Sequence, residues 1–438
     1  MSLLAIIFLL VGVALTLCLS RQWAPLPLLV GACYMTYGQQ WHVGPFTFTV
    51  VRLLLLTAFL RVTIRGEQML GFTRLDKVIL LWACWALSCS IFHQDPVSAL
   101  VYRLGLCYNI LGAYFLGRIY VRSKEDLSQL FVIIALLLMP LAVEMFHEKL
   151  TGQNGFAIFG RVLSEVSVRN GKLRAQGPFA NPILAGTVGG CCIPLMFGIR
   201  SVSRSLSTMG IVSCLVIVWS SASSGPAMGA VLSIGGLILW RWHDWIPRLR
   251  IGIVVIYALL EVVMHRPPYF ILASIDLAGG STGYYRAQLI RSSIEHLNEW
   301  WFAGTDFTRH WLATGAAMDP NNVDIANQFL ANGVQGGLLQ MGLFVCILWI
   351  AFVFVGKIID VNPESGHQAW ILGTSLFAYA ISGISVSYFD QSFIFLYFTV
   401  AGVGSLYVSV FKELPPEATS EAPCEMDFPK EVRWLTSL

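Results

Sequence analysis

The sequence predicts an all-α polytopic membrane protein, and three observations carry that prediction. Charged residues make up 12% of the chain, about half of the roughly 25% usual in soluble domains. Mean hydropathy is +0.68. Above all, apolar runs approaching the ~20 residues that a helix needs to cross a bilayer recur from one end of the 438 residues to the other.

In order, the candidate spans are 2–19, 25–38, 46–60, 78–92, 98–117, 127–146, 178–199, 208–221, 226–240, 251–264, 325–355, 369–387 and 392–411. They number about thirteen, or about twelve if the short run 25–38 is re-entrant or kinked rather than a full crossing. The first run has no basic segment ahead of it and no small-x-small cleavage site before Arg21, so it reads as a span rather than a removed signal peptide.

Lysine and arginine in short connections set the orientation. Arg61, Arg65, Arg74 and Lys77 follow the third span, and Arg118, Arg122 and Lys124 the fifth. Arg200 and Arg204 follow the seventh, Arg241, Arg248 and Arg250 the ninth, Lys357 the eleventh and Lys412 the last. The alternate connections 42–45, 93–97 and 222–225 have neither residue type. All the clusters share one face if the N-terminus is outside and the C-terminus inside. A transmembrane domain then covers 1–412, with two long outer loops at 147–177 and 265–324. The Pro- and Glu-rich segment 413–438 reads as a disordered cytoplasmic tail.

Other classes are excluded or weakened. A net charge of +3 is too small to imply a nucleic-acid partner. The ten cysteines show neither metal-ligand spacing nor a disulfide framework; nine lie in apolar runs and Cys424 lies in the tail. No internal repeat is visible, which weakens an inverted-repeat transporter.

Both outer loops are basic. The first carries Arg161, Arg169, Lys172 and Arg174, and the second Arg266, Arg286, Arg291 and Arg309. Long loops escape the positive-inside bias, so solvation alone is one reading; an anion site shared by the two loops is the other.

Three stretches carry possible chemistry. From Arg174 to Gly186 an arginine closes the first loop, Gly177-Pro178 makes a turn, and Asn181-Pro182 makes a second turn before a helix. A helix N-terminus beside a guanidinium suits an anion, and arginine suits bidentate phosphate. From Gly283 to Trp301, residues Leu289, Ile290, Ile294, Leu297 and Trp301 form one stripe at helical spacing, with Arg286 and Arg291 near its edges. This reads as an amphipathic helix on the outer leaflet, anchored by Trp300 and Trp301. From Asp324 to Leu338, residues Asn327, Gln328, Asn332 and Gln335 open a span, either lining a cavity or bonding neighbouring helices. Inside the spans, Arg52 and Arg103 need a partner or a cavity. The Ser220–Pro226 turn permits close backbone packing.

In this order the three stretches resemble the bacterial O-antigen ligase and O-antigen polymerase family. Arg174, Gly177, Phe179, Asn181 and Pro182 match its Arg-x-x-Gly-x-Phe-x-Asn-Pro element. Gly283, Arg286 and Gly304 match its large-loop element loosely, and Asn327, Gly333, Gly336 and Gly337 match its span-opening His-Asn element and the glycines after it. The likeness covers most of the chain from Arg103 onward. It implies a GT-C-like bundle in the bacterial inner membrane with its active face periplasmic. Such enzymes join glycan from polyprenyl diphosphate to a hydroxyl of an acceptor glycan or lipid, with no metal and no cofactor. The implied catalytic residues are Arg174, Arg286 and Asp324. Substrate contacts fall to Arg291, Asn181, Asn327, Arg103 and Arg52. Ala326 stands where the family has histidine, which leaves Asp324, Asp306 or Glu165 as base and favours a polymerase or exopolysaccharide enzyme over a lipopolysaccharide ligase. A transporter of lipid-linked glycan and a non-catalytic subunit docking polysaccharide export machinery are the competing classes.

Overall fold

The computed structural model describes residues 1–264, 267–274, 283–312, 320–389 and 391–413. Arg266 and residues 414–438 of the tail lie outside them. The chain is 76% helical with almost no sheet. It opens with α1 (Leu3–Cys18), α2 (Pro25–Tyr34), a hairpin of β1 (Gln40–Val43) and β2 (Phe46–Thr49), and α3 (Val50–Arg65). There follow α4 (Arg74–Ser88), α5 (Pro96–Tyr120) and α6 (Lys124–Thr151), then a second hairpin of β3 (Ser167–Arg169) and β4 (Lys172–Arg174). The helices α7 (Pro182–Gly198), α8 (Arg204–Ser221), α9 (Ser224–Leu239) and α10 (Ile246–Val263) precede α11 (Gly283–Glu295) and the short α12 (Leu297–Trp300). The chain closes with α13 (Gln328–Val361), α14 (Pro363–Ser382) and α15 (Ser392–Glu413).

Among the described residues, six helices are long and apolar enough to cross a membrane: Arg74–Phe92, Pro96–Tyr120, Lys124–Thr151, Arg204–Ser221, Gln328–Val361 and Ser392–Lys412. This is a multi-pass membrane architecture, with fewer full-length spans than the apolar runs suggested. The difference has local causes. At ~1.5 Å per residue, the 10 residues of α2 rise only ~15 Å, half the ~30 Å hydrocarbon core. The run beginning at 46 loses its first four residues to β2, and α3 starts only at Val50, where Thr49 caps it by accepting from the Arg52 amide.

The apolar helices differ in depth. In α15, 89% of the apolar window is buried, so this helix is the axis of the bundle and packs on α5, α13 and α14. By contrast α10 has no buried residue among those described, and Val262 is 85% exposed; its apolar surface suits lipid. One continuous core joins α2 to α9 with α13, α14 and α15. A small second core of Leu289, Trp300, Trp311, Val323 and Leu330 sits under the second loop.

The ends of the bundle are chemically different. At one end Arg21 pairs with Asp126 at 2.6 Å, Arg61 with Glu67 at 2.8 Å and Arg118 with Asp76 at 3.1 Å. These join the end of α1, the end of α3, the start of α4, the end of α5 and the start of α6, so the basic clusters after the third and fifth spans share a face, and Arg21 lies there with them. Both hairpins and the described parts of both long loops lie at the opposite end, where Gln391 at the head of α15 donates to the carbonyls of Met35 (2.9 Å) and Pro178 (3.2 Å).

At that second end α13 is broken. Gly337 has φ +75° and Gly336 is also non-helical. The segment after α12 docks into the break, with the Leu338 amide on Trp301 O at 2.8 Å and the Thr305 amide on Val334 O at 2.9 Å. A Cβ at Gly337 would stand 2.1 Å from Phe302 O, and one at Gly304 2.1 Å from Val334 O. Glycine is required at both positions by close approach as well as by backbone angle. A broken helix leaves carbonyls that must find donors inside protein: Trp85 Nε1 donates to Gly336 O at 2.7 Å and Arg103 Nη2 to Gln335 O at 2.5 Å.

Candidate functional site: an arginine cluster shared by the two loops

The site begins with the β3–β4 hairpin. Asn170 and Gly171 have φ of +49° and +73°, the two positive values of a type I′ turn, which favours Asn-Gly. Ser167 stands opposite Arg174 and Arg169 opposite Lys172. Opposite residues share a face, and residues two apart along a strand share it too. Arg169, Lys172 and Arg174 therefore all stand on one face of the ribbon, with Val168 and Leu173 on the other. The end of α6 holds the ribbon, because the Lys149 ammonium donates to Leu173 O.

After Arg174 the chain turns sharply. Gly177 is at φ +58°. The fully buried Glu148 accepts from the Gln176 amide at 2.9 Å and from the Gly177 amide at 2.8 Å, while Asn154 Nδ2 donates to Gly177 O at 2.9 Å. Phe179 is fully buried in the main core. Asn181 caps α7 by accepting from the Leu184 amide at 2.9 Å, and Pro182 is the first helical residue. In the Arg-x-x-Gly-x-Phe-x-Asn-Pro stretch, then, four residues build the turn and Arg174 is the residue presented. The anticipated anion site at the α7 N-terminus is not what the structure offers. Asn181 occupies that terminus, its first turn is largely buried, and the helix begins at Pro182 rather than at 178.

Arg174 reaches instead to the Ser220–Pro226 turn: its Nη2 donates to Ser223 Oγ at 2.6 Å and its Nε lies 3.5 Å from Ser221 O. That turn is thus a positioning element for Arg174 as well as a packing one. Burial and the neighbouring charge of Arg169 lower the Arg174 pKa.

Arg286 comes from α11. It is 8% exposed, and its Nε has no hydrogen-bond partner among the described residues. Burial lowers its pKa most, Arg169 and Arg174 lower it further, and Asp324 opposes them. Arg286 therefore feels two further positive charges and one carboxylate, and Arg169 acts on Arg174 as well. The juxtaposition is fixed by Tyr285, which donates from its hydroxyl to Asp324 O at 2.6 Å and so ties α11 to the entrance of α13. Burial of its carboxyl raises the Asp324 pKa, with Arg286 pulling the other way, although the residue as a whole is exposed.

Other anticipated residues lie elsewhere or are engaged. Arg291 is five positions from Arg286, about 140° round the helix; it is exposed and paired with Glu295 at 2.7 Å. Asn327 caps α13, accepting from the amides of Phe329 (2.9 Å) and Leu330 (3.1 Å). Arg52 donates to Thr47 O at 2.6 Å and Asn109 Oδ1 at 3.2 Å. Arg103 donates to His93 Nε2 at 2.5 Å, and His93 Nδ1 meets Asp306 Oδ1 at 2.5 Å. Asp306 also accepts from the Gln94 amide at 2.7 Å. Burial alone would raise its pKa, but the donors Gln94 and His93 prevail and lower it, which makes it a poor base. Trp300 is no interface anchor: it is 3% exposed and donates to Ser293 O at 2.8 Å. Nor does one amphipathic helix run to Trp301, because α11 ends at Glu295. Sequence reading counted Arg169 as loop charge only; the Asn170-Gly171 pair, read as a hairpin turn, would have placed it beside Arg174.

Neither a protein-family model nor a curated protein matches this chain.

Proposed function

We propose that this protein transfers or polymerises glycan units from a polyprenyl diphosphate carrier onto a sugar hydroxyl, at the periplasmic face of a bacterial inner membrane. The observation that carries the reading is buried Arg286, whose Nε has no hydrogen-bond partner among the described residues, in the field of Arg169 and Arg174. A buried charge is costly unless paired, and within the described residues Asp324 is the one carboxylate acting on it. An added anion of two or more charges would offset the excess, and arginine binds phosphate oxygens bidentately.

The chemistry follows from what each residue can do. The bond between the anomeric carbon and the diphosphate oxygen breaks, and the diphosphate leaves with the electron pair. Arg286 and Arg174 stabilise the charge that develops there. The acceptor hydroxyl oxygen forms the new bond to the anomeric carbon, and its proton passes to Asp324, which takes the role of the family's histidine at the position of Ala326. A transport path is less well supported, because Arg52 and Arg103, the intramembrane cations it would use, are held by internal partners.

The test uses the purified full chain in lipid discs with a synthetic polyprenyl diphosphate oligosaccharide. The expected result is a lengthened or transferred glycan. Wild-type yield in either Arg174→Ala or Arg286→Ala would overturn the proposal.

A further inference from the structure

The second loop holds another cluster that the transfer chemistry does not use. His296 follows α11, Glu299 lies in α12, and His310 lies in the 3₁₀ turn Arg309–Leu312. One ligand-type atom from each lies within 4.8 Å of the other two. Glu299 Oε1 is 2.7 Å from His296 Nδ1, and Glu299 Oε2 is 2.9 Å from His310 Nε2. The two imidazoles stand at 90° with centroids 4.9 Å apart.

We propose that His296, Glu299 and His310 form a binding site for a divalent transition metal, zinc by preference. Three of the four corners of a tetrahedron with ~2.0–2.1 Å bonds lie ~3.3 Å apart, and the observed spacings are within side-chain adjustment of that edge. Two imidazoles and one carboxylate suit zinc and not magnesium or calcium, which take oxygen ligands. Zinc sites with three protein ligands keep a fourth position for water, and this cluster is open to solvent on that side: His310 and Glu299 side chains are 49% and 30% exposed.

Trp311 supplies the outer support that metal ligands require. Its Nε1 donates to Glu299 Oε2 at 3.0 Å, and its ring stacks on His296 at 5.9 Å with a 9° tilt. A bound ion would tie the Arg309–Leu312 turn to α12 directly above the Trp300–Trp311 core, stiffening the loop that carries α11. The site is separate from the arginine cluster, and its occupancy is read without any transfer assay.

The full chain, purified without a polyhistidine tag and stripped of metal, is titrated with Zn²⁺ and in parallel with Co²⁺, whose visible bands report nitrogen and oxygen ligation. One equivalent is expected to bind, with Zn²⁺ displacing Co²⁺ from the same site. His296→Ala and His310→Ala should weaken binding more than about 100-fold, and Trp311→Phe about 10-fold as an outer-shell change. His42→Ala and His243→Ala should leave it unchanged. Absence of stoichiometric binding to the wild-type protein would overturn the site whether or not any variant folds; so would binding lost only with His42 or His243.

Discussion

The two ends of the bundle use arginine in opposite ways. At the end holding Arg21, Arg61 and Arg118, each guanidinium has a carboxylate within 3.1 Å. Asp76, which is fully buried, accepts from Arg118, Tyr114 and Thr73. At the end holding the long loops, Arg169, Arg174 and Arg286 act on one another, and among the described residues Asp324 is the one carboxylate acting on Arg286. A guanidinium with its own carboxylate is a staple, whereas Arg286 faces two like charges and a single carboxylate among the described residues. Arginine count along the chain does not separate the two cases; partner geometry does.

The largest effect that would sharpen this contrast is at the paired end. Asp76→Ala strands Arg118 in a dry interior and should destabilise the fold by about 3–5 kcal/mol, read as a lowered unfolding midpoint in detergent. At the other end, Arg286→Ala removes a guanidinium whose Nε has no hydrogen-bond partner among the described residues, so stability should hold while turnover falls on the order of 100-fold or more. A loss of stability as large as that of Asp76→Ala would break the comparison.

Asp324 gives a pH test. As the base it must be ionised, and its pKa is raised by burial. Transfer should therefore fail on acidification at a pH above the usual carboxylate range. Because Arg286 pulls that pKa down, the acid limb of residual activity in Arg286→Ala should move to still higher pH. Asp324→Asn should abolish the limb and lower turnover on the order of 100-fold, at the low end for a lost general base. The smallest effect belongs to Arg291→Ala. This residue is exposed and paired with Glu295, a contact of little worth at a surface, so transfer should change by no more than about twofold.

Much of this was readable from local signals. Low charge and recurrent apolar runs gave the membrane class, and Arg174 through Pro182 announced a turn and a capped helix within nine residues. Asn170-Gly171 announced the hairpin as clearly but lies inside a loop that apolar patterning passes over. What sequence could not supply is distance across the chain. Asp76 and Arg118 are 42 residues apart, and Arg103 and Gln335 are 232 apart. The same limit applied to Trp300, whose burial depends on a core shared with Trp311, Val323 and Leu330, and to Gly336 and Gly337, whose break in α13 is filled by a segment from before the helix.

The central claim is that the Arg169–Arg174–Arg286 cluster holds a diphosphate. The direct measurement is binding of a short-chain polyprenyl diphosphate to the wild-type protein and to Arg286→Ala in lipid discs, with Arg291→Ala as the control. The account predicts binding that weakens with salt, is lowered on the order of 10-fold or more in Arg286→Ala, and is unaltered in Arg291→Ala. Equal affinity in the wild-type protein and Arg286→Ala would contradict it.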